Sequence, residues 1–207
     1  MKHPWETIRL EDYEKHMELE SVRQLQTLNA MMREQLAAYP AATVMILGVA
    51  GGNGLEHVDR EKTQTVYGVD VNADYLRTAE ERHPELRGVL RCICADLTKD
   101  ADKLPAADVV IADLLVEYIG CTAFRSVIET VKPEHVSCVV QTDGDAGAWV
   151  SDSPYTHCFD CLETIHRPVE PDALRAALGE SGYREIFRSA EPLPNGKKLE
   201  RIDFRRK

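Results

Sequence analysis

The chain contains no apolar run that approaches the roughly 20 residues needed to cross a bilayer. It also lacks low-complexity tracts and any repeat at the spacing of solenoids or propellers. Its opening stretch, MKHPWETIRLEDYEKHM, is polar and holds no apolar core of a signal peptide. We therefore expect a globular protein of the cytoplasm that does not associate with membranes.

Positive charge is also scarce, because 25 Lys and Arg residues are set against 35 Asp and Glu residues. The resulting net charge of −10 repels phosphate backbones, which disfavours nucleic acid as substrate or partner. The six cysteines are expected to be reduced in a cytoplasmic chain. These features favour a small-molecule substrate.

Residues 1–41 are predicted to form a helical extension ahead of a main domain at residues 42–207. Ser21 and Gln24 have the spacing of a capping box. Apolar residues then recur at steps of three and four from Val22 to Leu36, which predicts an amphipathic helix. A shorter helix is predicted around residues 12–17. The apolar stripe can pack on the chain's own sheet or on a second copy in a homodimer.

The main domain alternates apolar runs with helical segments. The runs predict strands at residues 44–49, 65–70, 89–96, 107–113 and 135–143, and the helices between them are predicted at 53–61, 73–83 and 122–131. After a helix at 171–181, two strand-like runs at 183–193 and 197–206 are joined through Asn195-Gly196, a hairpin signal. The sequence therefore predicts an α/β fold, with a mostly parallel seven-stranded sheet, helices on both faces and a terminal antiparallel β-hairpin.

Glycines and acidic residues follow the predicted strands where these end. The first strand runs into the glycine-rich turn GVAGGNG at residues 48–54, and Asp70, Asp96 and Asp113 close the next three strands. Ligands of open α/β sheets bind at this carboxyl edge. The alternatives are a tight turn without a ligand, and an Asp70 that only caps the helix starting near Asn72.

With this pattern the chain resembles the class I S-adenosylmethionine-dependent methyltransferases over residues 42–207. The resemblance implies that the glycine turn wraps the amino-acid part of S-adenosylmethionine, through Gly48, Val49, Ala50, Gly52 and Asn53. It implies further that Asp70 holds the ribose with Val71 beside the adenine. Asp96 and Leu97 would read the adenine edge, and Asp113 would face the cofactor and the substrate.

The chain departs from the family pattern at two positions. Ile46 stands where the family often has an acidic residue, and Ala50 replaces the middle glycine. The cofactor's ammonium group is then expected to rely on backbone carbonyls or on Asp113. The segment from Asp113 to Tyr118 also lacks the Asn/Asp-Pro-Pro-aromatic motif of amino-directed DNA methyltransferases.

Acceptor-binding residues are predicted in two places. Residues 143–169 are long enough for a substrate loop or lid, in which Trp149 and Tyr155 either wall a pocket or cover the sheet edge. Tyr13 and Met17 lie four apart on one helical face and are predicted to form the opposite wall. If the acceptor must lose a proton, the candidate catalytic residues are Asp113, Glu117, Tyr118 and His16.

The side chains of His157, Cys158, Cys161 and His166 are those of a possible zinc site, because two thiols and two imidazoles can hold zinc. All four lie within ten residues, and in a strand the two cysteines would point to opposite faces. We therefore predict no metal.

The leading hypothesis is methyl transfer from S-adenosylmethionine to a small molecule, or less favourably to a protein side chain. One rival is an NAD(P)-dependent oxidoreductase, which the glycine turn and Asp70 also fit. The other is a module that binds S-adenosylmethionine or S-adenosylhomocysteine without chemistry.

Overall fold

The computed structural model describes residues 2–142 and 148–207. One sheet is built from β1 (Thr43–Leu47), β2 (Thr65–Asp70), β3 (Leu90–Cys94), β4 (Val109–Asp113), β5 (His135–Thr142), β6 (Tyr183–Pro192) and β7 (Lys198–Arg206). The spatial order is β3-β2-β1-β4-β5-β7-β6. Strands β1 to β5 pair in parallel, while β7 runs antiparallel to both β5 and β6. The predicted mostly parallel sheet with a terminal antiparallel hairpin is confirmed.

Helices cover both faces of the sheet. The α-helices of the described residues are α1 (Leu10–Glu18), α2 (Gln24–Ala38), α3 (Ala73–Arg82), α4 (Val116–Val131) and α5 (Pro171–Glu180). Short 3₁₀ helices lie at Pro4–Thr7, Leu55–His57, Pro84–Leu86, Ala101–Lys103 and Thr156–Thr164. None of the helices among these residues has the length and apolar composition to span a bilayer.

The core is divided between the two faces by the alternation of side chains along each strand. Met45 and Leu47 of β1 pack with α4 and α5, whereas Val44 and Ile46 pack with α2 and α3. Because both faces are buried, β1 is apolar at successive positions rather than alternately. The apolar stripe of α2 packs on this chain's own sheet, where Leu28 and Met31 join a cluster with strands β5 and β7.

The predicted capping box at Ser21 is wrong. Helix α2 begins at Gln24, its N-cap is Arg23 with a left-handed φ of 53°, and no side chain caps it. Val22 is fully buried and precedes the helix, which begins two residues later. The Gln24 amide reaches across to Gln141 Oε1, at 2.6 Å, rather than back to Ser21.

Two other predicted helices differ from those observed. Residues 53–61 form only the 3₁₀ turn Leu55–His57. The helix predicted at 122–131 starts earlier, at Val116, and is broken at Gly120, whose φ of 76° is left-handed. A Cβ at Gly120 would meet nothing within 4 Å, so glycine is favoured there by backbone conformation and not by lack of space.

A buried polar network ties α2 to the sheet. Asp203 of β7 is fully buried and accepts hydrogen bonds from Ser137 Oγ (2.5 Å), Tyr39 Oη (2.8 Å) and the Arg201 guanidinium (2.6 Å). The Gln35 amide of α2 donates to Ser137 Oγ at 3.0 Å and to Asp113 Oδ1 at 2.8 Å. The network thus runs from the antiparallel end of the sheet to the end of β4.

Replacing Asp203 with Asn should destabilise the fold strongly, because Arg201 is only 4% exposed and would lose its buried counter-charge. Breaking one side of a buried ion pair costs about 3–5 kcal/mol. Urea unfolding followed by circular dichroism measures the loss. Glu34→Gln is the control, since Glu34 lies 3.8 Å from the same guanidinium but is 62% exposed. Equal stability of both variants would contradict the role given to Asp203.

Candidate functional site

The glycine turn after β1 holds four residues in left-handed backbone conformation: Gly48 (φ 70°), Ala50 (φ 46°), Gly52 (φ 88°) and Gly54 (φ 92°). Ala50 pays a steric cost of about 1–2 kcal/mol for this conformation. Its backbone N–H donates to Asp70 Oδ2 at 3.0 Å, which fixes the turn against the end of β2. The turn and the carboxylate therefore position each other.

The glycines of the turn make room for different neighbours. A Cβ at Gly51 would lie 2.6 Å from Glu14 Oε1, and one at Gly54 would lie 2.6 Å from Met32 Cγ. The absence of a side chain at these two glycines lets residues of the N-terminal helices α1 and α2 pack closely against the turn. Gly48 and Ala50, in contrast, line a cavity. Only part of the glycine pattern therefore serves a ligand site.

The first cavity, of about 670 Å³, lies at the carboxyl edge of the sheet. Nine predicted site residues line it: Tyr13, Gly48, Ala50, Asp70, Val71, Asp96, Leu97, Asp113 and Tyr118. Its other walls include His3 and Trp5, which the sequence analysis did not identify. The N-terminal segment therefore closes over the edge where β1 to β4 end.

Asp70 is 9% exposed and accepts backbone hydrogen bonds from Ala50 N (3.0 Å) and Asn72 N (2.9 Å). Burial raises the pKa of Asp70, and these two hydrogen bonds oppose the rise. The capping role belongs to Asn72, whose side chain accepts from Asp74 N and Tyr75 N of α3. Each Asp70 oxygen keeps a further lone pair for a ligand hydroxyl.

Asp96 lies after β3, where its carboxylate accepts from Lys99 Nζ (2.6 Å) and Thr98 Oγ1 (2.6 Å). Burial acts to raise the pKa of Asp96, but these hydrogen bonds outweigh it and lower the pKa. Leu97 beside it is 6% exposed and offers an apolar wall. Asp96 therefore provides a charged group, and Leu97 provides an apolar surface beside it.

Asp113 ends β4 and lines the first cavity. Its Oδ1 accepts from Gln35 Nε2 at 2.8 Å, while its buried Oδ2 has no hydrogen-bond partner among the described residues. Burial raises the pKa of Asp113 to about 7, although Gln35 and the more distant Arg201 act in the opposite direction. An unsatisfied buried carboxylate oxygen is costly, so a cationic ligand group here would be stabilising.

A second cavity, of about 520 Å³, adjoins the first. Trp5, Tyr13, Leu114 and Tyr118 line both. The second cavity also contains predicted site residues, namely His16, Met17, Glu117 and Trp149. Tyr155 lines neither cavity, so the structure does not bring it to the site.

The three remaining catalytic candidates differ in their capacity to take a proton. His16 is 3% exposed, its Nδ1 lies 2.8 Å from Ser153 Oγ, and burial together with nearby Lys197 lowers its pKa to about 4. Burial, Glu117 and Tyr13 raise the pKa of Tyr118 well above its usual value. At neutral pH His16 is a weak base and Tyr118 keeps its proton. Glu117 is 3% exposed, and its Oε1 accepts from Gln141 N at 2.8 Å.

Three residues of the glycine turn that are predicted to bind the cofactor do not line the first cavity. Val49 and Asn53 line a separate pocket against α2, and the Asn53 amide donates to Leu25 O at 3.0 Å. A Cβ at Gly52 would lie 2.9 Å from His83 Cδ2. All three therefore make contacts within the protein, although the pocket against α2 shares Gly48, Ala50 and Asp113 with the first cavity.

The segment considered for zinc forms a 3₁₀ helix, Thr156–Thr164, and not a strand. His157 is 95% exposed, whereas Cys161 packs near Pro4 and its sulfur accepts from Thr7 Oγ1 at 3.5 Å. Across the part of the chain that the structure describes, no three His, Cys, Asp or Glu side chains are grouped to hold a metal ion. Residues 143–147 of the predicted substrate loop lie outside the described residues.

No protein-family model matches the chain, and no curated protein matches it by sequence. Solved structures do match. The N-methyltransferase NodS from Bradyrhizobium japonicum WM9, in complex with S-adenosylhomocysteine, has a TM-score of 0.65 at 14% identity, covering 95% of this chain and 97% of NodS. Magnesium protoporphyrin IX methyltransferase from Synechocystis PCC 6803, with bound S-adenosylmethionine, has a TM-score of 0.62 at 13% identity, covering 88% and 79%.

A third similar structure carries a different activity in its name. The [4+2]-cyclase SpnF has a TM-score of 0.66 at 13% identity, covering 89% of this chain and 82% of SpnF. Identities this low show a shared fold. The chain therefore has the fold of the class I S-adenosylmethionine-dependent methyltransferases, and its chemistry must be argued from its own residues.

Asp113→Asn should stabilise the ligand-free protein above neutral pH. A pKa raised from 3.8 to about 7 means that stability is lost as the pH rises from about 4 through 7. The shift corresponds to roughly 4 kcal/mol, which the neutral amide recovers at pH 8 but not near pH 4. Urea unfolding at both pH values, with the exposed Asp102→Asn as control, measures this. A variant no more stable than wild type at pH 8 would contradict the assignment.

Proposed function

We propose that the protein transfers a methyl group from S-adenosylmethionine to a small molecule. The observation that carries this proposal is the unpaired Oδ2 of Asp113, because Asp113 lines the first cavity beside the glycine turn. A buried anionic oxygen at this place suits the ammonium group of the cofactor's methionine part. It compensates for Ile46, which stands where the family often has an acid.

The remaining walls of the first cavity suit the other parts of the cofactor. In this proposal Asp70 accepts hydrogen bonds from the ribose hydroxyls, and Val71 and Leu97 enclose the adenine; all three line the first cavity. Asp96 would contact the adenine edge, and Gly48 and Ala50, which line the same cavity, would contact the methionine part. When bound, S-adenosylmethionine supplies a sulfonium methyl group that a nucleophile takes in one displacement.

The residues at the carboxyl edge of the sheet disfavour the alternative of an NAD(P)-dependent oxidoreductase. A dinucleotide places its pyrophosphate on a helix N-terminus directly after the glycine turn. Here the turn leads only into the three-residue 3₁₀ helix Leu55–His57. The Asp113 carboxylate also lines this cavity and would repel a pyrophosphate once it is ionised.

The second cavity favours an enzyme over a module that only binds the cofactor. Tyr13 and Tyr118 line both cavities, so a molecule in the second would lie next to the cofactor's reactive end. Glu117 is our choice for the base, because it lines the second cavity and His16 and Tyr118 are poor proton acceptors at neutral pH. Its lining of aromatic and apolar side chains with a few polar groups is typical of sites for small molecules.

Location, assembly and domain division remain predictions from the sequence. The net charge of −10 continues to disfavour nucleic acid as a partner. A cytoplasmic location, a homodimer and a domain boundary near residue 42 are kept as proposals.

Calorimetric titration with S-adenosylmethionine, S-adenosylhomocysteine and NAD tests the cofactor assignment. We expect the first two to bind and NAD not to bind. Asp70→Ala should weaken S-adenosylhomocysteine binding about 10- to 100-fold, since a hydrogen bond to a charged group contributes roughly 1.5–3 kcal/mol.

Asp74→Asn is the matched control, because Asp74 lies in the first turn of α3 with its side chain 77% exposed. Its affinity should equal that of the wild type. NAD binding without S-adenosylhomocysteine binding would replace the proposal with the oxidoreductase. Binding of S-adenosylmethionine without turnover on a broad acceptor panel would favour the module that binds the cofactor without chemistry.

A further inference from the structure

Aromatic rings surround the second cavity in a connected series. Trp5 meets Tyr118 edge-to-face at 4.9 Å between ring centroids and Tyr13 at 5.6 Å. Tyr118 meets Trp149 at 6.3 Å, and Tyr13 meets Phe159 at 6.5 Å. All five rings line the cavity, and we call them the ring belt. The belt joins the N-terminal segment, α4 and residues 149–159 into one wall.

Two histidines extend the ring belt at its ends. His166 stacks on Trp149 at 4.1 Å, and His16 lies 4.8 Å from Phe159. Because burial and nearby Lys197 lower its pKa to about 4, His16 is uncharged at neutral pH. It therefore contributes a ring and a polar edge without a positive charge.

Among the described residues, no Lys or Arg lines the second cavity, whereas the buried Glu117 carboxylate does. Lys197 lies nearby and donates to Trp149 O at 2.5 Å, but it is not part of the lining. Ring faces and a carboxylate both attract cations and repel anions.

We infer that the second cavity binds the methyl acceptor as a small organic amine in its cationic form. This inference rests on the methyltransferase function proposed above and assigns its substrate class. A carboxylate or phosphate acceptor would face ring faces and Glu117 without a positive side chain in the lining. A neutral acceptor would gain apolar contact but no electrostatic attraction from the Glu117 carboxylate.

Before the transfer, the bound ammonium loses one proton to the Glu117 carboxylate, which passes it to solvent. The amine nitrogen then attacks the methyl carbon with its lone pair, so an N–C bond forms while the C–S bond breaks. The electron pair of the broken bond stays on sulfur in S-adenosylhomocysteine, and the N-methylammonium product carries the positive charge.

Three probes of similar size and different charge test the inference: benzylamine, benzyl alcohol and benzoate. Both tryptophans of the chain, Trp5 and Trp149, line the second cavity, so their fluorescence reports binding. We titrate the probes into full-length protein, with and without saturating S-adenosylhomocysteine. Benzylamine should bind at least about tenfold more tightly than benzyl alcohol, with benzoate the weakest.

Glu117→Gln should reduce the preference for benzylamine over benzyl alcohol to about threefold or less, as the rings remain and the carboxylate is lost. Its affinity for S-adenosylhomocysteine should stay unchanged. Glu129→Gln is the matched control, since Glu129 lies on the same helix with its side chain 55% exposed. If the Glu117 variant does not fold, the relative affinities of benzylamine, benzyl alcohol and benzoate for the wild-type protein decide whether the acceptor is a cationic amine.

Equal or tighter binding of benzyl alcohol or benzoate would overturn the amine assignment, as would no binding of any probe by protein that binds S-adenosylhomocysteine. Failure of S-adenosylhomocysteine to bind would instead overturn the proposed function. The series on ligand-free protein would then still show which charge the ring belt prefers. The two failures are therefore distinguishable.

Discussion

The hydrogen bond from Gln35 Nε2 to Asp113 Oδ1 joins the two parts of the protein on which the site depends. Gln35 belongs to α2, which packs on the sheet, and Asp113 ends the strand beside β1. The same amide also bonds Ser137, which bonds Asp203. The position of Asp113 is therefore set by a buried polar network that reaches the far strands, and not by its own loop.

Several features of the site lower the stability of the folded protein. Ala50 and Leu114 both have left-handed backbone, with φ of 46° and 52°, although neither is glycine. Asp113 adds a buried oxygen without a partner. Strain and unsatisfied polar groups gather at functional sites because the surrounding structure holds them there. The apolar packing on both faces of the sheet offsets these costs.

Much of the fold was predictable because buried parallel strands leave a strong apolar pattern. The carboxyl-edge positions of Asp70, Asp96 and Asp113 followed from it, since parallel strands end on the same side. The first residue of α2 was not predictable. Val22 is buried by tertiary contacts just before the helix begins, and the spacing of capping residues does not reveal such contacts. Trp5 was missed because it lies in a four-residue 3₁₀ turn without periodicity, and only tertiary contacts bring it to the site.

The glycine turn has a consequence for how the sequence can change over time. Gly51 leaves room for Glu14 of α1 and for Arg82 of α3, Gly54 leaves room for Met32 of α2, and Gly48 borders the cavity. In a descendant that lost its N-terminal helices, the contacts with Glu14 and Met32 would disappear. Arg82 would still crowd Gly51, and the left-handed backbone of Gly54 would still favour glycine, so selection would keep this segment rich in glycine even without α1 and α2.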